Sequence, residues 1–582
     1  MDNPSRIAMF SKKWRTSERQ YDVIAEYDVR IPLSDGITLS CDIFRPDSPG
    51  KFPGILGLHP YSNPGQTGPI KPVQVSGAAV PLVGQDTTNA SLEAGDPNFF
   101  VRRGYVHIVC NVRGTGKSEG KYLSTGAREH QDGYEVIEWI SKQPWCDSNV
   151  GMFGVSYFGI IQFFVASTQP PHLKCLFAPW AATNLYTDRG YRGGVPSYGF
   201  PIAISKSALT YGNCRPANLS RMELGDEGYQ KAIARLLQND DLKLDPQIAD
   251  ILRHPDEGVN PYVVDVIMHP DYDTYWEERT VKYDKIKVPA YIGASWGMFG
   301  LHLPGAFRSW EHLNVPKKMI IGPVEYLDRP LYQLHYESLR WFDYWLKGID
   351  TGIMDEPPIR LFSTVTKEWK EANEWPLPET KWTPFFLHES GLLSEHEHWI
   401  NEGSDSFEDS AWGRGAIKYT SPAMVENTEI TGPIILNLYA SSTDSDIFWI
   451  VTLWQVDPDG KETLLTKGWL RGSHRQIDEE LSQPWEPIHN HRKPEPLIPN
   501  DIYEFKIPMV PISHLFKAGY RVVVKVSCTD DEPTSALEKI AAGSLRRKAP
   551  SRITVYHNAT HPSHVLFPIT KGNVIGTYMS KF

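Results

Sequence analysis

From Tyr27 to Phe44 apolar and polar residues roughly alternate around the turn Ser34-Asp35-Gly36. That period of two predicts a β-hairpin entering a sheet. Short continuous apolar runs follow at Phe52 to Leu58 and Tyr105 to Val109, which read as strands buried on both faces. Between Gly133 and Ile140 the period changes, with Tyr134, Ile137, Trp139 and Ile140 at helical spacing. Val150 to Val155 is again strand-like and leads into an apolar stretch, Ile160 to Ala166. Strands separated by helices predict a mainly parallel sheet covered on both faces.

After Pro179 the texture shifts to Gly, Tyr and Pro, with amphipathic pieces such as Tyr229 to Leu237. Residues 184–279 are therefore expected to form a helical cap inserted between a first core segment, 20–183, and a second, 280–356. In the second segment, Pro289 to Ala294 and Lys318 to Ile321 resume the strands, and Tyr336 to Leu346 has the spacing of a helix. Beyond Pro357 short apolar strands alternate with turns such as Asp457-Pro458-Asp459-Gly460. Residues 357–582 thus read as an all-β sandwich.

The length of 582 residues is consistent with this division, being too great for one core. A net charge of −11 without a basic run argues against a nucleic-acid partner. No segment has the ~20 apolar residues of a membrane span. The six cysteines lack CxxC spacing, so they are expected to be free thiols in a cytoplasmic protein, with no zinc site. A small-molecule substrate is the expected partner, and a homodimer is left open.

The most specific local signal is Gly154-Val155-Ser156-Tyr157-Phe158-Gly159, placed between a predicted strand and an apolar stretch. Such a turn projects the serine hydroxyl above a sheet, with a helix N-terminus beneath it. Acyl transfer suits this geometry, and the amide of Tyr157 would donate to an oxyanion.

The stretch Trp145-Cys146-Asp147, through Asn149-Val150-Gly151-Met152-Phe153, into the Ser156 turn resembles the nucleophile elbow of the cocaine-esterase and X-Pro dipeptidyl-peptidase family. Further likeness lies at Ile37 to Arg45, Arg113-Gly114 to Gly120, Trp375-Pro376-Leu377-Pro378 and His561-Pro562-Ser563-His564. The resemblance implies an α/β-hydrolase core, a helical cap and a C-terminal jelly roll. It also implies that Tyr61, in His59-Pro60-Tyr61, adds a phenolic donor to the oxyanion hole. His59 reads equally as a supporting donor or a packed core histidine.

The same resemblance exposes a departure. Its acid is expected two residues after a tryptophan, and its histidine in a Gly-Pro-x-x-His stretch. In Trp296-Gly297-Met298 and Gly322-Pro323-Val324-Glu325-Tyr326 those places hold Met298 and Tyr326. Met298 cannot orient a base, and a phenol with a pKa of about 10 is a poor one at neutral pH.

Three readings follow. In the first, His302 reaches Ser156 and Glu325 orients it or acts itself, giving hydrolysis of an ester or amide of a small neutral substrate. In the second, Tyr61, the Tyr157 amide and Ser156 polarise a carbonyl while Glu325 or Tyr326 moves a proton in a non-hydrolytic reaction such as cyclisation, C–C bond formation or cleavage, or elimination. The third is a ligand-binding protein without activity. The catalytic candidates are thus Ser156, Tyr61, Tyr157, His302, Glu325 and Tyr326, and the substrate-binding candidates His59, Trp296, Met298 and Phe158. No cofactor or metal is expected.

Overall fold

A computed structural model describes residues 14–67, 74–75, 78–79, 93–323, 334–398, 403–410, 412–413, 415–530 and 544–572. Ten strands form the core sheet: β1 (Val23–Pro32), β2 (Thr38–Pro46), β3 (Phe52–His59), β4 (Val106–Asn111), β5 (Cys146–Phe153), β6 (Leu173–Pro179), β7 (Ala290–Ser295), β8 (Lys317–Gly322), β9 (Ile359–Phe362) and β10 (Trp369–Ala372). Their spatial order is β1-β2-β4-β3-β5-β6-β7-β8-β9-β10. From β4 to β9 every neighbouring pair is parallel, while β1–β2, β2–β4 and β9–β10 are antiparallel.

Burial accounts for the continuous apolar runs. All residues of β3 and β4 are buried, because helices cover both faces of the sheet. Helix α1 (Ala127–Ser141) presents Val136, Ile137 and Ile140 to it, and α2 (Tyr157–Ser167) is buried at every position except Ser167. A helix apolar all round belongs in the middle of a core, and α2 packs on β3 and β6 and against α1.

Between β6 and β7 the chain leaves the sheet. A π-helical turn, Tyr186–Gly190, precedes α3 (Leu219–Leu236), α4 (Pro246–Arg253) and α5 (Asn260–Met268). Asp245 caps α4 by accepting from Gln247 N and Ile248 N, and Asn218 caps α3 through Arg221 N. Helices α6 (Leu303–His312) and α7 (Leu334–Lys347) belong to the returning core segment.

Two strands beyond the expected boundary at 356 belong to the core sheet. Ile359–Phe362 lies parallel to β8 and Trp369–Ala372 completes its edge. A short strand at a sheet edge and a short sandwich strand have the same alternation, so periodicity alone does not part them. The remaining strands, Lys381–His388 through His564–Lys571, join one twelve-stranded sheet. The long strand Thr428–Ser442 pairs with Tyr503–Phe516 on one side and with His564–Lys571 on the other, closing the hydrogen-bonded circuit instead of leaving two separate layers.

Cys41 and Cys110 are register partners across β2 and β4 and are joined by a disulfide, which corrects the expectation of six free thiols. Their separation by 69 residues gave no spacing cue. Cys146, Cys175, Cys214 and Cys528 are free. No helix among the described residues is long and apolar enough to cross a membrane.

Candidate active site

Ser156 follows the carboxyl end of β5 and immediately precedes α2, with φ 59° and ψ −122°. A non-glycine residue in that region is strained, and such strain persists only where neighbours over-determine it. Here the neighbours are close. A Cβ on Gly154, whose φ is +133°, would lie 2.4 Å from Phe158 Cβ, and one on Gly159 would lie 2.7 Å from the Pro179 carbonyl oxygen. The tight turn therefore needs both glycines. Ser156 is half-buried, and its carbonyl accepts the first helical bond from Ile160 N at 2.8 Å.

The Tyr157 side chain turns away from the serine. Its hydroxyl donates to Glu129 Oε2 at 2.9 Å, leaving its backbone N–H in the first turn of α2, where helical amides have no intrahelical acceptor. Burial pushes the Glu129 carboxyl up to about 7, against the hydrogen bonds it accepts.

Tyr61 comes from the loop after β3 and brings its phenol to the Ser156 hydroxyl. Burial first, and then the Glu93 carboxylate, raise this phenol well above 10, while Arg189 and the hydrogen bond with Ser156 oppose the shift. Its position is set from below. Tyr61 N donates to His59 Nδ1 at 3.1 Å, and Asn111 Nδ2 donates to the Tyr61 carbonyl at 2.7 Å.

His302 stands at the start of α6, one turn beyond Met298. The backbone bond from His302 N to the Met298 carbonyl, 3.0 Å, folds the loop so that Nε2 lies 3.4 Å from Ser156 Oγ. That separation is long for a hydrogen bond, but resting sites often tighten only with substrate. Burial, and then the positive charge of Arg189, lower the imidazole to about 3, so it is neutral at pH 7.

Three of the expected ligand contacts are buried: His59, Phe158 and Met298 are 0 %, 0 % and 1 % exposed. His59 and Phe158 stack at 4.7 Å between ring centres beneath Tyr61, and Met298 packs in a cluster with Trp180 and Leu301. Trp296 is nearly buried, donates from Nε1 to the Phe362 carbonyl at 2.8 Å, and lines a cavity of about 560 Å³ with Phe299 and His514. Glu325 and Tyr326 lie outside the described residues.

Glu93 and Arg189 carried no sequence signal. Glu93 is near the elbow, where its carbonyl accepts from Val155 N at 3.1 Å. Arg189, in the π-helical turn, is 7 % exposed, with its guanidinium carbon 5.5 Å from the Phe200 ring centre. A solitary acid before a helix cap and a solitary arginine in an insertion belong to no periodic pattern. A second cavity, about 460 Å³, lies between cap, core and β domain beside Asp188, Phe299, Arg308, Glu311, Trp469 and Glu486. Ser156, Tyr61 and His302 do not line it.

A strained serine at the strand-to-helix turn of a largely parallel sheet defines an α/β-hydrolase enzyme. Residues 35–327 match the X-Pro dipeptidyl-peptidase (S15 family), and residues 351–566 match the X-Pro dipeptidyl-peptidase C-terminal non-catalytic domain. The chain belongs to the S15 family. It is 25% identical to the cocaine esterase of Rhodococcus sp. (strain MB1 Bresler), with 94% of this chain and 98% of that protein covered. A CocE/NonD family hydrolase from Staphylococcus aureus has a structure similar to this one, with a TM-score of 0.78 at 25% identity over 94% of each chain. An α-amino acid ester hydrolase shares the fold, with a TM-score of 0.71 at 18% identity over 98% of this chain and 100% of that one.

Proposed function

We propose that the protein hydrolyses an ester or amide of a small molecule through an acyl-enzyme on Ser156, with His302 as the base. The observation that carries this reading is the 3.4 Å approach of His302 Nε2 to the hydroxyl of a serine held in strained backbone geometry. Ser156 Oγ bonds to the carbonyl carbon as its proton passes to His302 Nε2. The tetrahedral oxyanion accepts from the Tyr157 amide and the Tyr61 phenol. His302 returns the proton to the departing alcohol or amine as the acyl bond breaks. A water molecule then repeats the sequence, releasing the acid and restoring Ser156. In this scheme His302, one turn beyond Met298, takes the part that the resemblance assigns to the position of Tyr326.

A fluorophosphonate tests the reading by reacting only with an activated serine. Mass spectrometry is expected to find one adduct, on Ser156. An unlabelled Ser156 under conditions that label a known serine esterase sinks the proposal. Tyr61→Phe removes only the phenolic donor, so kcat for p-nitrophenyl acetate is expected to fall by about 10- to 10³-fold with little change in KM. An unchanged kcat would remove Tyr61 from the oxyanion site.

The pH profile should be displaced. His302 works as a neutral base above its pKa, and burial and Arg189 hold that pKa near 3 rather than 6.5. The acid limb of kcat/KM for a neutral ester is therefore expected below pH 5, with a plateau through pH 6.5. A limb centred near 6.5 contradicts it.

A further inference from the structure

We propose that Arg189 is the binding site for a carboxylate on the substrate, so that the preferred substrate is an ester or amide carrying a free acid group. This rests on the hydrolase reading and deepens it. It also departs from the expectation of a neutral substrate.

Arg189 is 7 % exposed, and its Nε has no hydrogen-bond partner among the described residues. The adjacent acid is committed elsewhere: Asp188 receives Arg308 at 2.9 and 3.0 Å and accepts from Thr183 N and Asn184 N. Glu93 acts on the Tyr61 phenol, raising it. The groups that feel Arg189 are the phenols of Tyr262, Tyr122, Tyr157 and Tyr61, together with His302. Burial raises the phenols of Tyr61, Tyr122 and Tyr157 well above 10, so they carry no negative charge at pH 7. A buried cation without a counter-ion is costly, and an arginine cannot escape the cost by losing its proton. A carboxylate supplies the missing charge and a planar, bidentate match to the guanidinium.

Position makes the ligand a substrate. Tyr61 and His302, which both contact Ser156, lie within the reach of the Arg189 charge. An anion there also cancels the field that opposes the imidazolium formed on His302 during acyl transfer. Binding and activation would then come from one contact.

The test compares monoethyl succinate, glutarate and adipate with the corresponding ethyl esters in which a primary amide replaces the acid. At pH 7 the native enzyme should favour at least one acid over its amide by about 10²-fold in kcat/KM. Arg189→Gln should bring that ratio close to one, and Arg189→Lys should restore part of it. Equal handling of every acid and amide pair by the native enzyme, or a ratio untouched by Arg189→Gln, overturns the proposal. Calorimetry on Ser156→Ala protein separates this from the hydrolase reading. Monoethyl glutarate or a homologue should bind there, and its amide should not, even if no ester is ever turned over. Absence of binding by all three acids overturns the carboxylate site. If Arg189→Gln fails to fold, inhibition of the native enzyme by glutarate but not glutaramide supports the proposal, and equal inhibition overturns it.

Discussion

Ser156→Ala is expected to lower ester turnover by about 10⁴- to 10⁶-fold, leaving only the rate that the oxyanion donors and substrate binding provide. His302→Ala should fall into the same range, because an unassisted hydroxyl is a weak nucleophile at neutral pH. The two losses should not add. A double variant should be about as slow as either single one, since nucleophile and base act as a unit. Burst kinetics with p-nitrophenyl acetate provide the measurement, and circular dichroism verifies that each variant is folded. Full turnover in Ser156→Ala would exclude an acyl-enzyme and favour chemistry in which the serine only polarises a carbonyl. Loss in Ser156→Ala with full activity in His302→Ala would instead assign the base to another group.

Asp530→Ala should produce the largest loss of stability. Asp530 is buried and accepts from Lys467 at 2.7 Å, Trp469 Nε1 at 2.9 Å and Ser544 at 3.0 Å, while Arg192 of the cap stands 3.8 Å away. Burial alone would raise its carboxyl, but Lys467 and Arg192 hold it below the usual range. Removing it strands Lys467, itself fully buried, and breaking such a pair from one side costs about 3–5 kcal/mol. A calorimetric scan should register this as a transition lower by roughly 10 °C. The double replacement Asp530→Leu with Lys467→Met should recover much of the loss, because apolar groups of similar volume need no counter-ion. Equal instability in single and double variants would point to packing alone.

These two sites differ in how far the chain announces them. The elbow is legible because strain has a covalent signature: Gly154 and Gly159 are required by contacts under 3 Å, and a strand and an apolar helix must flank them. The parallel core is legible for a related reason, since strands buried on both faces lose their alternation and become continuous apolar runs, as in β3 and β4. Other parts depend on pairings between distant residues. Cys41 meets Cys110, Asp530 meets Lys467 and Arg192, and the Arg189 charge acts on the phenols of Tyr61 and Tyr262, with no periodicity to link them. His302 is intermediate. Its nearness to Met298 along the chain makes it a candidate, but only the turn closed by the Met298 carbonyl brings its ring to Ser156. Phe158, His59 and Met298, substrate-binding candidates by sequence, are buried, and adjacency along the chain does not fix which way a side chain faces.

The segment that carries Arg189 is fastened to the C-terminal domain within a few residues. Gly193 accepts from Arg471 N at 2.8 Å, and Pro196 accepts from Leu545 N at 2.7 Å. A Cβ on Gly193 would lie 2.0 Å from the Trp469 carbonyl oxygen, so the two backbones meet with no side chain between them. Exchange of the C-terminal domain between family members should therefore transfer substrate preference as well as stability. Laboratory selection for a new substrate should gather mutations around Trp469, Arg471 and Leu545, far from the reacting bond.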